Sequence, residues 1–248
     1  MKNLIILCFG IVSFSACKKE SPSPVTIDET GGTTTAVGNY AVFSSCKSVI
    51  ITNTLISNQP NFSNAYVSNT LLVNDDPVVG SLLDMGTVSL NGTTLQKNAF
   101  GIQNYYNDST TNTYNTPHNW VIAGLNGILG FSYSNSTAYP SYTGYTAIAD
   151  SFVVSSNITI PLTNYSGADI IETYFSTITT AAVNTSIQKL TNNPSSLSFT
   201  ASDLSIIGSG KTVALIINFY KNNVQQINGK NYNFRTVYQV IKTDIKFK

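Results

Sequence analysis

From residue 39 onward, apolar and polar residues alternate with a period of two along short runs, and turn residues separate one run from the next. β-Branched and aromatic residues fill these runs, which is typical of strands that bury one face. The pattern therefore predicts an all-β protein. We predict strands at residues 48–55, 64–73, 87–90, 93–95, 120–123, 128–133, 213–220, 224–227 and 231–248, with a further pair of strands inside 151–162.

Turn-forming residues connect several of these runs. Asn91-Gly92 is a type I′ hairpin signal, because that turn needs a positive φ at both central residues. Asn126-Gly127 predicts a second hairpin, which joins the strands at 120–123 and 128–133. A third hairpin is predicted to join 213–220 to 224–227, after which the chain turns again at Asn228-Gly229.

Helical patterns are few. Thr200-Ala201-Ser202-Asp203 forms a capping box, and Gly208 is a stop signal after it. Residues 181–190 carry a second helical pattern, weakened by their Thr and Asn content. We therefore expect one short helix, and at most two, between the strands.

The loop-rich stretch 132–148 predicts a division near residue 148. Short strands with a turn about every 8–12 residues are typical of β-sandwiches. The favoured architecture is therefore two tandem antiparallel β-sandwiches, an N-terminal domain over 39–147 and a C-terminal domain over 148–248. A single larger sandwich or jelly roll is the alternative.

The N-terminus follows a different pattern. Lys2 precedes an apolar run over 4–12 that is shorter than the roughly 20 residues a spanning helix needs, which predicts a secretory signal. Phe14-Ser15-Ala16-Cys17 resembles the lipobox of bacterial lipoproteins, with Phe14 where that family usually has Leu. The resemblance implies that 1–16 are removed and that acylated Cys17 anchors the protein in the membrane. The alternative is a plain cleaved signal that leaves Cys17 as a free thiol.

Residues 17–38 are rich in Ser, Pro, Thr and Gly, which predicts a flexible linker. Its start, Cys17-Lys18-Lys19-Glu20, resembles lipoproteins of the Bacteroidota, in which acidic residues after the cysteine favour cell-surface display. This resemblance implies an outer-membrane lipoprotein of the cell envelope, either at the cell surface or facing the periplasm. The segment from Phe199 onward is similar to small Ig-like domains of Bacteroidota surface lipoproteins, which implies that the C-terminal domain is Ig-like.

The composition of the chain limits the classes of partner that it is expected to bind. Charged residues make up only 10% of the chain and the formal net charge is +1. The chain therefore has no basic field for nucleic acid and no acidic field for cations. Ser, Thr and Asn, about a third of the chain, supply solubility instead. There is no glycine-rich phosphate loop and Arg235 is the only arginine, so no nucleotide site is predicted.

Candidate chemistry is sparse. With Cys8 in the signal and Cys17 acylated, Cys46 is predicted to be a small buried hydrophobe rather than a reactive thiol. His118 is the only histidine, so no two-histidine zinc site can form, and we expect a structural or solvent-facing role for it. Asn74-Asp75-Asp76 with Asp84 nearby is either a calcium site or, as favoured, a turn. No catalytic residue, metal or cofactor is predicted.

Aromatic residues crowd the first half, and several lie in polar sequence marked by Gly or Pro, notably 138–145. Tyrosines on loops beside Asn and Ser give rigid contact area with hydrogen-bonding groups. The candidate binding residues are Tyr139, Tyr142, Tyr145 and Trp120. Alternatively, Trp120 belongs to the core and the others pack the loop bases.

These patterns favour a lipid-anchored envelope protein that acts by non-catalytic binding or adhesion, through its sandwich loops, to a glycan or a protein partner. The first alternative is an extracytoplasmic hydrolase of polysaccharides that uses an unrecognised carboxylate pair. The second is a structural subunit of a surface assembly that uses its strand edges.

Overall fold

The computed structural model describes residues 41–51, 62–69, 84–97, 105–107, 115–177, 186–192 and 194–248. The predicted signal 1–16, Cys17 and the linker lie outside the described residues, as do Asn74-Asp75-Asp76. In the described part the chain is mostly strand and forms several sheets. The all-β prediction is therefore confirmed.

Eighteen strands, one 3-10 turn and one short helix make up the described part. In chain order they are β1 Ala41–Ile51, β2 Phe62–Asn69, β3 Val88–Leu90, β4 Thr93–Thr94, β5 Gln96–Lys97, β6 Tyr105–Asn107, β7 His118–Ile122, β8 Phe131–Asn135, β9 Ser141–Tyr142, the 3-10 turn Gly144–Ala147, β10 Ser151–Phe152, β11 Ile158–Pro161, β12 Tyr165–Ser166, β13 Ile170–Thr177, β14 Ser186–Asn192, β15 Ser196–Phe199, α1 Ala201–Ser205, β16 Thr212–Lys221, β17 Val224–Ile227 and β18 Lys230–Phe247.

The largest sheet is built around β18. This strand runs antiparallel to β16 on one side and parallel to β1 on the other, from Ala41 opposite Tyr232 to Ile51 opposite Lys242. The strand order is β14-β13-β16-β18-β1-β2-β6-β5, and β10 and β17 also pair with β18. Strands from both sides of the predicted boundary at residue 147/148 thus share one sheet. The division into two tandem Ig-like sandwiches remains a prediction.

One hydrophobic core lies at the end of the large sheet where β18 begins. The four-stranded sheet β4-β3-β7-β8 contributes Leu90 and Trp120 to this core, and the large sheet contributes Phe43 and Phe234. The rings of Phe43 and Phe234 stack with centroids 4.9 Å apart, and Trp120 meets Phe43 edge-on at 5.3 Å. The alternating burial of β7, with three buried and two exposed residues, gives this sheet one core face and one solvent face.

A second core lies at the other end of β18. Phe175, Phe219 and Phe247 of the large sheet pack there with Phe199 of β15 and Leu204 of α1. The eight central residues of β16 are all buried, which explains why its sequence is a nearly continuous apolar run rather than an alternating one. Strand β18 therefore contributes side chains to both cores.

Two predicted hairpins and the helix cap are confirmed. Asn91 and Gly92 have φ angles of 49° and 80° and join β3 to its partner β4. Asn228-Gly229 likewise joins β17 to β18. At α1, the Thr200 hydroxyl accepts from the Asp203 backbone N–H while the Asp203 carboxylate accepts from the Thr200 N–H.

Other predicted pairings were wrong. Strands β16 and β17 do not form a hairpin, because β18 is long enough to pair with β17 near its start and with β16 along the rest. The two strands found within 151–162 pair with β18 and β15 rather than with each other. Within the weak helical pattern at 181–190, residues 186–190 belong to strand β14, and the remainder lies outside the described residues.

The connection between β7 and β8 is longer than the predicted turn. Asn126-Gly127 forms its tip, with positive φ at both residues, but eight residues separate the paired strands. A Cβ on Gly124 would lie 2.4 Å from the Gly130 nitrogen, and one on Gly130 would lie 2.4 Å from the Ala123 carbonyl oxygen. Only glycine fits at these two positions, which lets the two sides of the loop touch.

Candidate ligand-binding site

Tyr139 bridges the loop after β8 to the large sheet. Its hydroxyl lies 2.8 Å from the Ser45 hydroxyl, and the Lys47 ammonium lies 4.7 Å from its ring centroid. The ring edge meets His118 at 5.0 Å, and the neighbouring Ala138 carbonyl accepts from Thr236 at 3.0 Å. Tyr139 is half-buried, so these contacts use much of the ring for attachment to the protein.

His118 is fully buried beside Tyr139. Neither of its ring nitrogens has a hydrogen-bond partner among the groups described. Desolvation lowers the pKa of His118 to about 4. The Asn135 backbone is close enough to oppose this shift, although it makes no hydrogen bond of normal geometry to the ring, and the nearby Lys47 cation lowers the pKa further. The imidazole is therefore neutral near pH 7. His118 packs inside the protein and does not face the solvent.

Two of the four candidate binding residues lie in the cores, so the prediction that their rings are exposed to a ligand was wrong. Trp120 and Tyr142 are each 1% exposed, so neither ring offers contact area to a ligand. The Tyr142 ring packs 5.0 Å from Phe219, and burial raises the pKa of its hydroxyl to about 12. Trp120 is the core strand residue of the alternative interpretation.

Tyr145 is half-buried at the margin of the second core. Its ring meets Tyr142 edge-on at 6.2 Å, and it lies near Tyr238, whose pKa burial raises to about 12 with a smaller contribution from Tyr145. Tyr139 and Tyr145 are both half-buried, and Tyr142 is fully buried. The three loop tyrosines do not form one exposed platform.

A shallow groove lies directly beside this loop. Strand β9 pairs with β12, which places Tyr142 opposite Tyr165 and Ser141 opposite Ser166. The groove has a volume of about 410 Å³, is open to solvent, and is lined by Leu162, Tyr165, Ser166, Gly167, Ala168, Pro194 and Ser195. All seven lining residues are uncharged.

Cross-links hold the walls of the groove in place. The Leu162 backbone N–H donates to the Ser195 carbonyl at 3.0 Å, which joins the two walls. The Ser141 and Ser166 hydroxyls lie 2.9 Å apart across the β9–β12 pair. The Tyr165 ring packs 5.7 Å from Phe219, so the aromatic wall rests on the second core.

The groove was not predicted from the sequence, although a signal for it was present. Asn164-Tyr165-Ser166-Gly167 combines a tyrosine with turn residues as the 138–145 loop does, and Asn164 and Gly167 have φ angles of 62° and 78°. What the sequence did not reveal is that Pro194 and Ser195 lie across from this turn, because that contact depends on the β11–β15 pairing.

Arg235, the only arginine in the sequence, makes contacts with side chains of neighbouring strands in the large sheet. Its Nε donates to the Ser44 hydroxyl at 2.6 Å, and its guanidinium carbon lies 4.4 Å from the Tyr220 ring centroid. The Tyr220 hydroxyl in turn donates to the Glu172 carboxylate. These contacts join four adjacent strands of the large sheet.

All six carboxylates among the described residues are engaged. The contacts are Asp84 with Lys97, Asp150 with Lys242, Asp169 with Lys221, Glu172 with Tyr220, Asp203 with the Thr200 backbone N–H and Asp244 with Thr243. Asp84 also accepts from the Gly86 N–H and the Tyr105 hydroxyl, and Lys97 is the main cause of the lowered pKa of its carboxyl.

Cys46 is buried and unpaired, as predicted. Its sulfur lies 3.6 Å from the Ser48 hydroxyl, which itself donates to Gln239 at 3.0 Å. Burial raises the pKa of the thiol to about 11, against smaller opposing effects of Ser48 and Arg235.

We expect Cys46 to be inert toward thiol reagents in the folded chain, because about one thiol in a thousand is ionised at pH 8 when the pKa is near 11. Ellman's reagent added to a Cys8→Ser/Cys17→Ser variant, in which Cys46 is the only thiol, should release colour only after denaturant is added. The same variant with Cys46→Ser gives the blank. Rapid colour from the native protein would contradict the buried assignment.

No family model, curated protein or solved structure matches this chain. Within the described residues, no helix has the length and apolar character to span a membrane, and no group of three or more His, Cys, Asp or Glu side chains is placed to hold a metal ion.

Proposed function

We propose that this protein is a lipid-anchored component of the cell envelope that binds a glycan or protein ligand without transforming it. In this proposal Cys17 carries the lipid, residues 17–38 are the linker, and the β-rich part presents the binding surface. The observation that carries the binding role is the open, uncharged groove beside Tyr165. Concave sites with a few polar groups are where small ligands bind in most proteins.

The proposed architecture is two sandwich modules that share β18. The two separate cores, one centred on Phe234 and the other on Phe219, support this arrangement. Smaller strand groups cover the large sheet at each end, which is how a sandwich buries its inner face. An Ig-like form of the second module remains part of the proposal.

The described residues give little support to the hydrolase alternative. A glycosidase needs two facing carboxyl groups with room for substrate between them. The six described carboxylates are instead held by lysines, a tyrosine, a capped helix and a threonine hydroxyl.

The assembly-subunit alternative has one supporting observation. Strand β14 ends the large sheet, and among the described strands its only partner is β13. An edge strand of seven residues offers backbone groups to a partner strand. Lys189 lies in the middle of β14, however, and lysine on an edge strand is a common means of preventing such pairing.

We expect Cys17→Ser to move the protein from the membrane pellet to the soluble fraction, because two or more acyl chains make anchoring stable and the substitution removes their attachment point. Fractionation and immunoblotting measure the change. Cys46→Ser is the matched control and should stay in the membrane, since that thiol is buried in the fold. Membrane association of Cys17→Ser equal to that of the control would contradict the anchor.

A further inference from the structure

We propose that the groove formed by Leu162, Tyr165, Ser166, Gly167, Ala168, Pro194 and Ser195, here called the Tyr165 groove, binds a neutral glycan over one or two sugar units. This inference rests on the proposed binding function and names its site and ligand class. None of these residues was a candidate on sequence grounds.

The size and shape of the groove suit a small part of a polymer. Its volume of about 410 Å³ is near the lower end of the range for small-molecule sites, roughly 300–1,000 Å³. It is also shallow and open, so a long chain can enter and leave at its ends without passing through a closed pocket. Such a site recognises a short stretch of a polysaccharide while the remainder stays in solvent.

The electrostatics exclude a strongly charged ligand. None of the seven lining residues carries a charge. Asp169 directly follows the lining residue Ala168, and its carboxylate is paired with the Lys221 ammonium at 2.6 Å. A phosphate, sulfate or uronic acid would give up hydration here with no cation in the lining to replace it.

The lining offers the two kinds of contact that a sugar uses. Tyr165 is a half-buried aromatic residue whose ring packs against Phe219 behind it. Apolar C–H faces of a sugar ring can lie on such a side chain, and its hydroxyl serves as a hydrogen-bonding group. Ser195 is exposed and adds a hydroxyl that can both donate and accept. Ser166 is also exposed, and its hydroxyl, already bonded to Ser141, keeps capacity to accept a further hydrogen bond.

The site is pre-organised, which reduces the entropic cost of binding. The bond from Leu162 N–H to the Ser195 carbonyl and the Ser141–Ser166 hydroxyl contact fix both walls. At the adjacent Gly144, a Cβ would lie 2.7 Å from the Thr163 carbonyl oxygen, so the loop and the groove turn are in direct contact.

An apolar or proline-rich peptide is the rival occupant. Grooves that bind proline-rich segments are lined by several aromatic side chains. The Tyr165 groove has one aromatic residue and two exposed serines in its lining. This balance favours a hydroxyl-rich ligand.

The test uses the full chain in detergent. A glycan array that includes neutral and acidic oligosaccharides, together with polyproline peptides, identifies the class of ligand. Affinity electrophoresis in gels containing a neutral polysaccharide from the array hits then measures binding by the variants. We expect neutral hits for the wild type and at least a tenfold weaker affinity for Tyr165→Ala and for Ser195→Trp, which fills the groove.

Ser209→Trp makes the same substitution at an exposed serine that does not line the groove, and this matched control should retain the binding of the wild type. Tyr145→Ala tests the neighbouring loop and should also bind, because Tyr145 does not line the groove. Thermal melting shows whether each variant is folded. Ser195→Trp alters an exposed position and therefore keeps the test decisive if Tyr165→Ala fails to fold.

Three outcomes overturn the inference: neutral-glycan binding that survives Ser195→Trp, binding confined to acidic glycans or polyproline peptides, and a wild type that binds none of the probes. In the first two cases the proposed binding function stands and only the site or ligand class is wrong. Hydrolysis of a hit by the purified wild type would instead contradict the non-catalytic function.

Discussion

Replacing Phe234 by alanine is expected to lower the free energy of unfolding by about 3–5 kcal/mol, the usual cost of deleting a buried aromatic ring. Phe234 is completely buried, stacks on Phe43 at 4.9 Å and lies 4.2 Å from the Tyr133 ring. It also belongs to β18, the strand that joins both cores. Denaturant unfolding followed by tryptophan fluorescence and by circular dichroism measures the loss.

The same experiment shows whether the two cores unfold together. Phe175→Ala makes an equivalent deletion in the second core, where Phe175 is also fully buried. Because β18 and β1 pair across the predicted domain boundary, we expect each variant to shift one common transition. Leu129→Ala, at a side chain 66% exposed, is the control and should change little. Two transitions, each moved by only one of the variants, would show independent domains.

Acid is expected to destabilise the wild type through His118, and His118→Phe should remove this effect. The pKa of His118 is lowered from 6.5 to about 4 in the folded chain, where its buried nitrogens have no described partner. The unfolded state therefore binds more protons as the pH falls below 6.5. Stability is lost from there down to about pH 4, and at pH 4.5 the loss amounts to about 2–3 kcal/mol.

Denaturant unfolding at about pH 7 and pH 4.5 measures this difference. Comparing the variant with the wild type cancels the contributions of the carboxylates, such as Asp84, whose lowered pKa also removes stability in acid. At pH 7, His118→Phe should be at least as stable as the wild type, because it replaces two unpartnered nitrogens by a ring that can meet Tyr139 edge-on. An equal acid loss in both proteins would contradict the assignment.

Local features of the fold could be predicted where the chemistry is local. The type I′ turn at Asn91-Gly92 needs only two residues that tolerate positive φ, and the cap of α1 needs only Thr200 and Asp203 three positions apart. The burial of Cys46 followed from its place in a run with the composition of a strand. None of these predictions required knowledge of a distant partner.

Pairing between distant segments could not be predicted in this way. Adjacent runs suggested a β16–β17 hairpin, but β16 and β17 each pair with β18, because a strand of 18 residues has room for both. The parallel pairing of β1 with β18 joins residues about 190 positions apart, and alternation alone carries no information about such a partner. The candidate site changed for the same reason. The sequence around Tyr142 is typical of a loop, and the burial of its ring depends on packing against the distant residue Phe219.

The sequence by itself determined the strand-forming composition, the tight turns, the helix cap and the scarcity of charge, all of which depend on residues close together in the chain. Only the tertiary structure decided that β18 serves both cores, that Trp120 and Tyr142 are buried, and that Tyr165 lines an open groove together with Pro194 and Ser195. The physical reason is that burial and concave surfaces arise from long-range strand pairing. The same alternating pattern of residues is compatible with many such pairings.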